Sequence, residues 1–351
     1  MITKDKNYTY ISVLKIFAIF QILYFHNGVY FAEYYGQSGY WLYTAVTMLA
    51  YSGVPLFFTI SGALLLNKEE SFKKLFTHRI LRYAVVLTLI SAVCYVYENR
   101  FNLSALSIRY YIDGLMTFSH SSYLWYMYAY IAFLFMLPFL RKLAVNMSRE
   151  DYIYLFVIYL IFKSASVFQF FAWRDNAIIN QDFKVAFFAS LDVFIYPLLG
   201  YFLQHRLKEK DFNSKNISLM LIIGLVGLIA ETVLTDIKLK SGSESPEPLT
   251  QFGYTYACLF VASIFFVCRG CFIKHSVSDK TSKTLLRISE CVFGVYLIQE
   301  ILVDITRPAY IYLQKFLPVF PSNIIWLLIS LVLGFALTFL IRLIPIVKKF
   351  I

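Results

Sequence analysis

Charge is scarce in this chain. Asp, Glu, Lys and Arg supply 15% of its 351 residues against 59% hydrophobic, whereas a soluble domain carries about a quarter charged residues. An ordinary soluble protein is thereby excluded. No polar stretch is long enough for a separate soluble domain, so residues 1–351 read as a single integral-membrane domain. Cysteine is sparse and scattered: Cys94, Cys258, Cys268, Cys271 and Cys291 suggest no disulfide framework. Cys268 and Cys271 form a lone C-x-x-C with no second pair, so no metal is expected. No internal repeat is visible, which weakens a transporter built from inverted halves.

What the chain has instead is a series of apolar blocks of about 20 residues, enough for a helix to cross about 30 Å of hydrocarbon. They fall near 10–32, 42–66, 79–98, 122–140, 152–172, 186–204, 216–236, 251–268, 289–306 and 322–346. The expected fold is an all-α polytopic membrane protein with about ten transmembrane helices. The net charge of +11 could suggest nucleic acid, but the Lys and Arg residues lie in short loops between the blocks. They concentrate in 1–9, 67–78, 141–151, 205–215, 269–288 and 347–351, which places both termini in the cytoplasm. The first block contains Lys15 and His26, runs long and shows no small-residue cleavage site, so it reads as a retained helix rather than a signal peptide. Segment 237–250 reads as a flexible external connection. Aromatic residues make up 19% of the chain, and Tyr34, Tyr35, Tyr40, Trp41, Tyr110 and Tyr111 fall beside block ends, as interfacial belts do.

Ionisable groups inside membrane helices are costly and therefore functional candidates. Lys15 and His26 are eleven residues apart, about three turns plus 20°, so they share one face of the first helix about 16 Å apart, with Ile19 and Ile22 between them. A cation near the cytoplasmic mouth and an imidazole deeper in would suit a long anionic cofactor such as an acyl-CoA. Snorkelling of Lys15 and backbone bonding by His26 would explain the pair equally well. The second helix carries Gly53, Pro55, Ser61 and Gly62, which should loosen or kink it and let another backbone approach. The loop after it is densely basic up to Arg79 and Arg82, three apart on one helical face and able to hold phosphates or to signal topology. Trp125 and Tyr126, at the outer start of the fourth helix, read as interface anchors that could also stack on a sugar. Lys163, Asp192, Glu231, Glu300 and Asp304 complete the intramembrane charges, with no pairing evident from sequence.

Four stretches resemble the membrane acyltransferase family 3, O-acyltransferases of bacterial surface glycans. They are the Lys15-to-His26 spacing; Val54-Pro55-Leu56-Phe57-Phe58-Thr59-Ile60-Ser61-Gly62 with the basic loop and Arg79/Arg82 after it; Tyr123-Leu124-Trp125-Tyr126 leading to Leu137-Pro138-Phe139-Leu140-Arg141; and Phe293-Gly294-Val295-Tyr296-Leu297-Ile298. The family usually continues the last stretch with His-Pro, where this chain has Gln299-Glu300. The resemblance implies transfer of an acetyl or other short acyl group from cytoplasmic acetyl-CoA to a hydroxyl of a glycan or lipid-linked saccharide, in the plasma membrane of a bacterium. It makes His26 catalytic, places Lys15, Arg79, Arg82 and Ser61 on the donor side, and gives Trp125, Tyr126 and Glu300 to the acceptor. Some relatives carry an extracytoplasmic hydrolase-like domain. Its absence here implies transfer completed within the membrane domain. Two other readings stand beside it: a glycan or lipid-linked glycan exporter or flippase, and a proton-coupled transporter with His26, Glu231 and Glu300 as its relay.

Overall fold

The computed structural model describes residues 8–27, 34–117, 120–173, 192–240, 255–275 and 277–351, and among them the protein is helical with no strand. Among the described residues, seven helical runs are long and apolar enough to cross a membrane: α1 (Thr9–His26), Tyr40–Leu65, α4 (Phe72–Glu98), Ser122–Asn146, α9 (Ser214–Lys240), α10 (Ala257–Lys274) and α12 (Val319–Ile341). Tyr40–Leu65 is two helices, α2 (Tyr40–Ala50) and α3 (Gly53–Leu65), and Ser122–Asn146 contains α6 (Trp125–Asn146). Helices also occupy the expected regions 152–172 and 289–306, as α7 (Arg149–Trp173) and α11 (Asp279–Leu313). The apolar half of α11 carries Glu300, Asp304 and Arg307, which sets it apart from a plain lipid-facing span. The expected helix at 186–204 is described from Asp192, as α8 (Asp192–Tyr201) followed by a π turn, Phe202–Arg206. Most of the segment read as an external connection, from 241 on, lies outside the described residues, as does much of the tail of the first block. Within 99–121, read as a plain outer segment, the chain forms α5 (Ile108–Thr117), held to α4 by the Tyr111 hydroxyl donating to the Thr88 carbonyl at 2.7 Å.

The chain resolves into two compact units: Met1–Asn67 with Leu140–Glu290, and Lys68–Phe139 with Cys291–Ile351. In the first, α1 packs on α2, α3 and α10, α8 lies along α3, and α9 packs on α10 and α2. The second contains α4, α5, the start of α6, most of α11, α12 and the short α13 (Pro345–Lys348).

The break between α2 and α3 follows from one proline. Pro55 has no N–H for the carbonyl four residues back, that of Tyr51, and its ring crowds it. The helix opens at Tyr51–Ser52, ahead of the proline, while α3 itself runs unbroken through Ser61 and Gly62. Gln21 of α1 mends the gap. Its amide nitrogen donates to the Leu49 carbonyl at 2.7 Å and to Ser52 Oγ at 2.6 Å. The other expectation for this stretch, a close backbone approach, is met at Gly62. A Cβ there would lie 1.9 Å from the Pro197 carbonyl oxygen of α8, and a Cβ on Gly200 1.8 Å from the Thr59 carbonyl oxygen. Two glycines let α3 and α8 touch backbone to backbone.

Candidate functional site

In the first unit, α1 is one uninterrupted α-helix with Lys15 near its start and His26 as its last residue. Both side chains are half-buried, while Ile19 and Ile22 between them are buried. The Glu290 carboxylate acts on the Lys15 ammonium. The Phe25 ring stands edge-on to the His26 imidazole, centroids 5.2 Å apart, and itself packs on Tyr51 at the α2–α3 break. Ser61 is half-buried on α3, next to the Gly62 contact.

In the second unit the two arginines part company. Residues 76–80 of α4 form a π turn that includes Arg79, whereas Arg82 lies in the regular helix that follows. Arg79 Nε donates to both oxygens of Glu70, at 3.1 and 2.9 Å, and the Glu70 side chain is 5% exposed. Arg82 donates through Nε and Nη2 to the Phe350 carbonyl, at 3.1 and 3.0 Å. The partners differ, and Glu70 gave no signal in the sequence beyond its place in a charged loop.

The aromatic segment and the last signature stretch come together in the same unit. The Tyr123 hydroxyl donates to the Leu297 carbonyl at 2.6 Å, and the Tyr296 hydroxyl donates back to the Tyr123 carbonyl at 2.8 Å. Ser121 Oγ donates to Glu300 Oε2, and the Tyr126 ring meets Tyr296 edge-on at 5.3 Å. Tyr126 is buried, whereas Trp125 is 42% exposed and Glu300 is open to solvent. Trp125 is therefore the member of this pair free to stack on a ligand.

Gln299 was not singled out as a site residue by sequence. It is fully buried, and neither amide atom has a hydrogen-bonding partner among the described residues. Burying an unpaired polar group costs about 1–3 kcal/mol. Gln299→Leu, which keeps the volume and removes the unpaired atoms, is expected to raise the melting temperature by about a few degrees. A lower melting temperature on thermal unfolding would show that the amide is paired.

The remaining intramembrane charges are accounted for individually. Glu231 is buried on α9 and accepts from the Tyr256 N–H at the start of α10, a carboxylate at a helix N-terminus. Lys163 acts on the same carboxylate. Asp304 pairs with Arg100 at 2.8 Å. The Asp192 side chain lies outside the described residues. Two members of the relay reading, Glu231 and Glu300, thus have structural partners. Among the described residues no three His, Cys, Asp or Glu gather as a metal site would require.

Comparison with curated proteins and with solved structures gives no match. The family model described as an acyltransferase domain matches residues 8–343, which takes in parts of both units and all four signature stretches. Seven apolar helices and that match make this a multi-pass membrane protein, and the chain belongs to the acyltransferase 3 family.

Proposed function

We propose that the protein transfers an acetyl or other short acyl group from cytoplasmic acyl-CoA to a hydroxyl of a glycan or lipid-linked saccharide, at the plasma membrane of a bacterium. In this reading the chain crosses the bilayer ten times with both termini inside, and its two units work as one membrane domain. The observation that carries it is α1, a single helix with a cation about two turns from one end and an imidazole at the other, in a chain of an acyltransferase family.

His26 acts as the base. Its imidazole takes the proton from the acceptor hydroxyl as that oxygen attacks the thioester carbonyl. The tetrahedral intermediate collapses with loss of the CoA thiolate, which recovers the proton from the imidazolium. The acceptor leaves as its ester. Attack by His26 itself, with an acyl-imidazole between the two half-reactions, uses the same residue. Lys15, Arg79 and Arg82 are assigned to the phosphates of the donor or to the charge that develops on its oxygen. Ser61 shapes the donor side through its position beside Gly62. Trp125, Tyr126 and Glu300 serve the acceptor, Trp125 by stacking, Glu300 by accepting hydrogen bonds from hydroxyls, and Tyr126 by supporting them from the buried layer behind.

Equilibrium binding of acetyl-CoA to the purified protein tests the donor assignment. Saturable binding competed by free CoA supports it, and a folded protein that ignores acetyl-CoA turns the reading toward an exporter. The Arg79–Glu70 pair sharpens the test, since Glu70 competes with any phosphate for that guanidinium. Glu70→Gln is expected to tighten acetyl-CoA binding about threefold or more, as removal of a competing charge beside a phosphate site should. Unchanged affinity in isothermal titration would remove Arg79 from the donor site.

A further inference from the structure

At the end of the first unit where α1 finishes in His26 and α2 begins with Tyr40, the last turn of α9 comes alongside. The Tyr40 hydroxyl donates to Asp236 Oδ1 at 3.1 Å, and Lys240 Nζ donates to Asp236 Oδ2 at 2.7 Å. The carboxylate is almost wholly buried while half of the Lys240 side chain stays open, at 5% and 52% exposure. The Lys240 ammonium lies 6.0 Å from the centre of the Trp41 ring, and the Tyr35 ring stands edge-on to Tyr40 at 5.4 Å. Trp41 and Tyr35 are each about half exposed.

The register of this cluster relative to His26 follows from Gln21, which bonds the Leu49 carbonyl and so sets α1 against α2. His26 is five residues beyond Gln21 and Tyr40 nine residues beyond Leu49 in the same direction, which puts Tyr40 about 6 Å further out along the helix axes. The cluster is a rim above the imidazole.

An interfacial belt accounts for exposed Trp and Tyr, and helix ends favour lysine. Neither accounts for Asp236. A carboxylate in the last turns of a helix opposes the macrodipole, and this one is buried and locked from two directions. What the arrangement supplies is a fixed strong acceptor, an open strong donor and two half-exposed aromatic faces within one patch. Sugar recognition needs that combination: a ring face of C–H groups to stack, and hydroxyls that both give and take hydrogen bonds.

We infer that Tyr35, Trp41, Asp236 and Lys240 form a hexose-binding rim that seats a pyranose ring of the acceptor above His26. The inference rests on the acyltransferase reading and deepens it by naming where the saccharide is held. Trp41 stacks on the ring. Lys240 gives hydrogen bonds to its oxygens, and the oriented Asp236 carboxylate accepts a hydrogen bond from a ring hydroxyl when the ring settles against the pair. The occupant is an uncharged hexose, since Asp236 already balances Lys240.

The test is saturation-transfer NMR on the purified full chain in phosphatidylcholine nanodiscs, with methyl β-D-glucopyranoside and methyl N-acetyl-β-D-glucosaminide as probes. Wild type is expected to bind at least one of them, and Trp41→Ala to weaken that binding about tenfold, the value of one aromatic stacking contact. Trp41→Phe keeps a ring at the position and is expected to stay within about threefold of wild type, which separates loss of stacking from loss of fold. No transfer to either probe in wild type, or equal binding by wild type and Trp41→Ala, overturns the rim and leaves the aromatics as a belt. Acetyl-CoA binding in the same preparation keeps the two ideas apart. Donor binding without hexoside binding sinks the rim alone, whereas hexoside binding that depends on Trp41 without donor binding upholds the rim and sinks the acyltransferase.

Discussion

Gly62→Ala is expected to lower the melting temperature sharply and to reduce the yield of monodisperse protein, although it adds one methyl group to a helix that favours alanine. Alanine gains about 1 kcal/mol over glycine in helix propensity, but here the new Cβ would stand 1.9 Å from the Pro197 carbonyl oxygen and 2.3 Å from the Pro197 Cα. These are backbone atoms within a helix and cannot turn aside as a side chain could. The helices must separate, at an overpacking cost of about 1–3 kcal/mol or more, and the whole length of the α3–α8 contact pays with lost dispersion. Helix association in lipid depends on such close packing because no hydrophobic drive replaces it. Gly200→Ala meets the Thr59 carbonyl oxygen at 1.8 Å from the other side. Because both substitutions open the same contact, the double variant should lose much less than the sum of the two, a coupling of about 1 kcal/mol or more in a double-mutant cycle. Additive losses, or Gly62→Ala melting with wild type, would contradict the backbone contact.

The second large effect is on chemistry. His26→Ala is expected to reduce acyl turnover by about 10²–10⁴-fold, the usual contribution of a positioned general base. A structural role for this histidine would show elsewhere. The side chain is half-buried at the last position of α1 and packs edge-on to Phe25, so truncation leaves the buried face of the helix intact. The melting temperature should stay within about two degrees of wild type, as it does for changes away from core packing. His26→Gln retains hydrogen bonding but cannot take a proton at neutral pH, and should be as inactive as the alanine variant. Activity in His26→Gln would make the residue a hydrogen-bonding group rather than a base.

Much of the helical plan was legible because lipid leaves few choices: an apolar block of spanning length must satisfy its backbone internally. Blocks read at 42–66 and 216–236 became Tyr40–Leu65 and Ser214–Lys240. The glycine-rich stretch was read correctly as a place of close approach, but the break in the helix falls at Tyr51–Ser52. A proline acts four residues upstream of itself, on the carbonyl it cannot serve. What stayed hidden was pairing. Tyr40 finds Asp236 across 196 residues of sequence, and Glu231 caps a helix that begins 26 positions later. No local period announces such partners. The π turn at Phe76–Ile80 was equally silent, as were the separate partners of Arg79 and Arg82, Glu70 and the Phe350 carbonyl. Gln299 is the opposite case, noticed only as a departure from the family's pattern, while its burial without a partner depends on packing that the sequence does not display.

The central claim, that His26 drives acyl transfer from a CoA thioester, is tested most directly by slow hydrolysis of acetyl-CoA in the absence of acceptor. Purified wild type and His26→Ala are compared for both binding and release of free CoA. The account predicts that both bind acetyl-CoA with similar affinity and that release falls by about a hundredfold or more in the variant. Equal release by the two proteins, or a folded wild type that binds no acetyl-CoA, would contradict it.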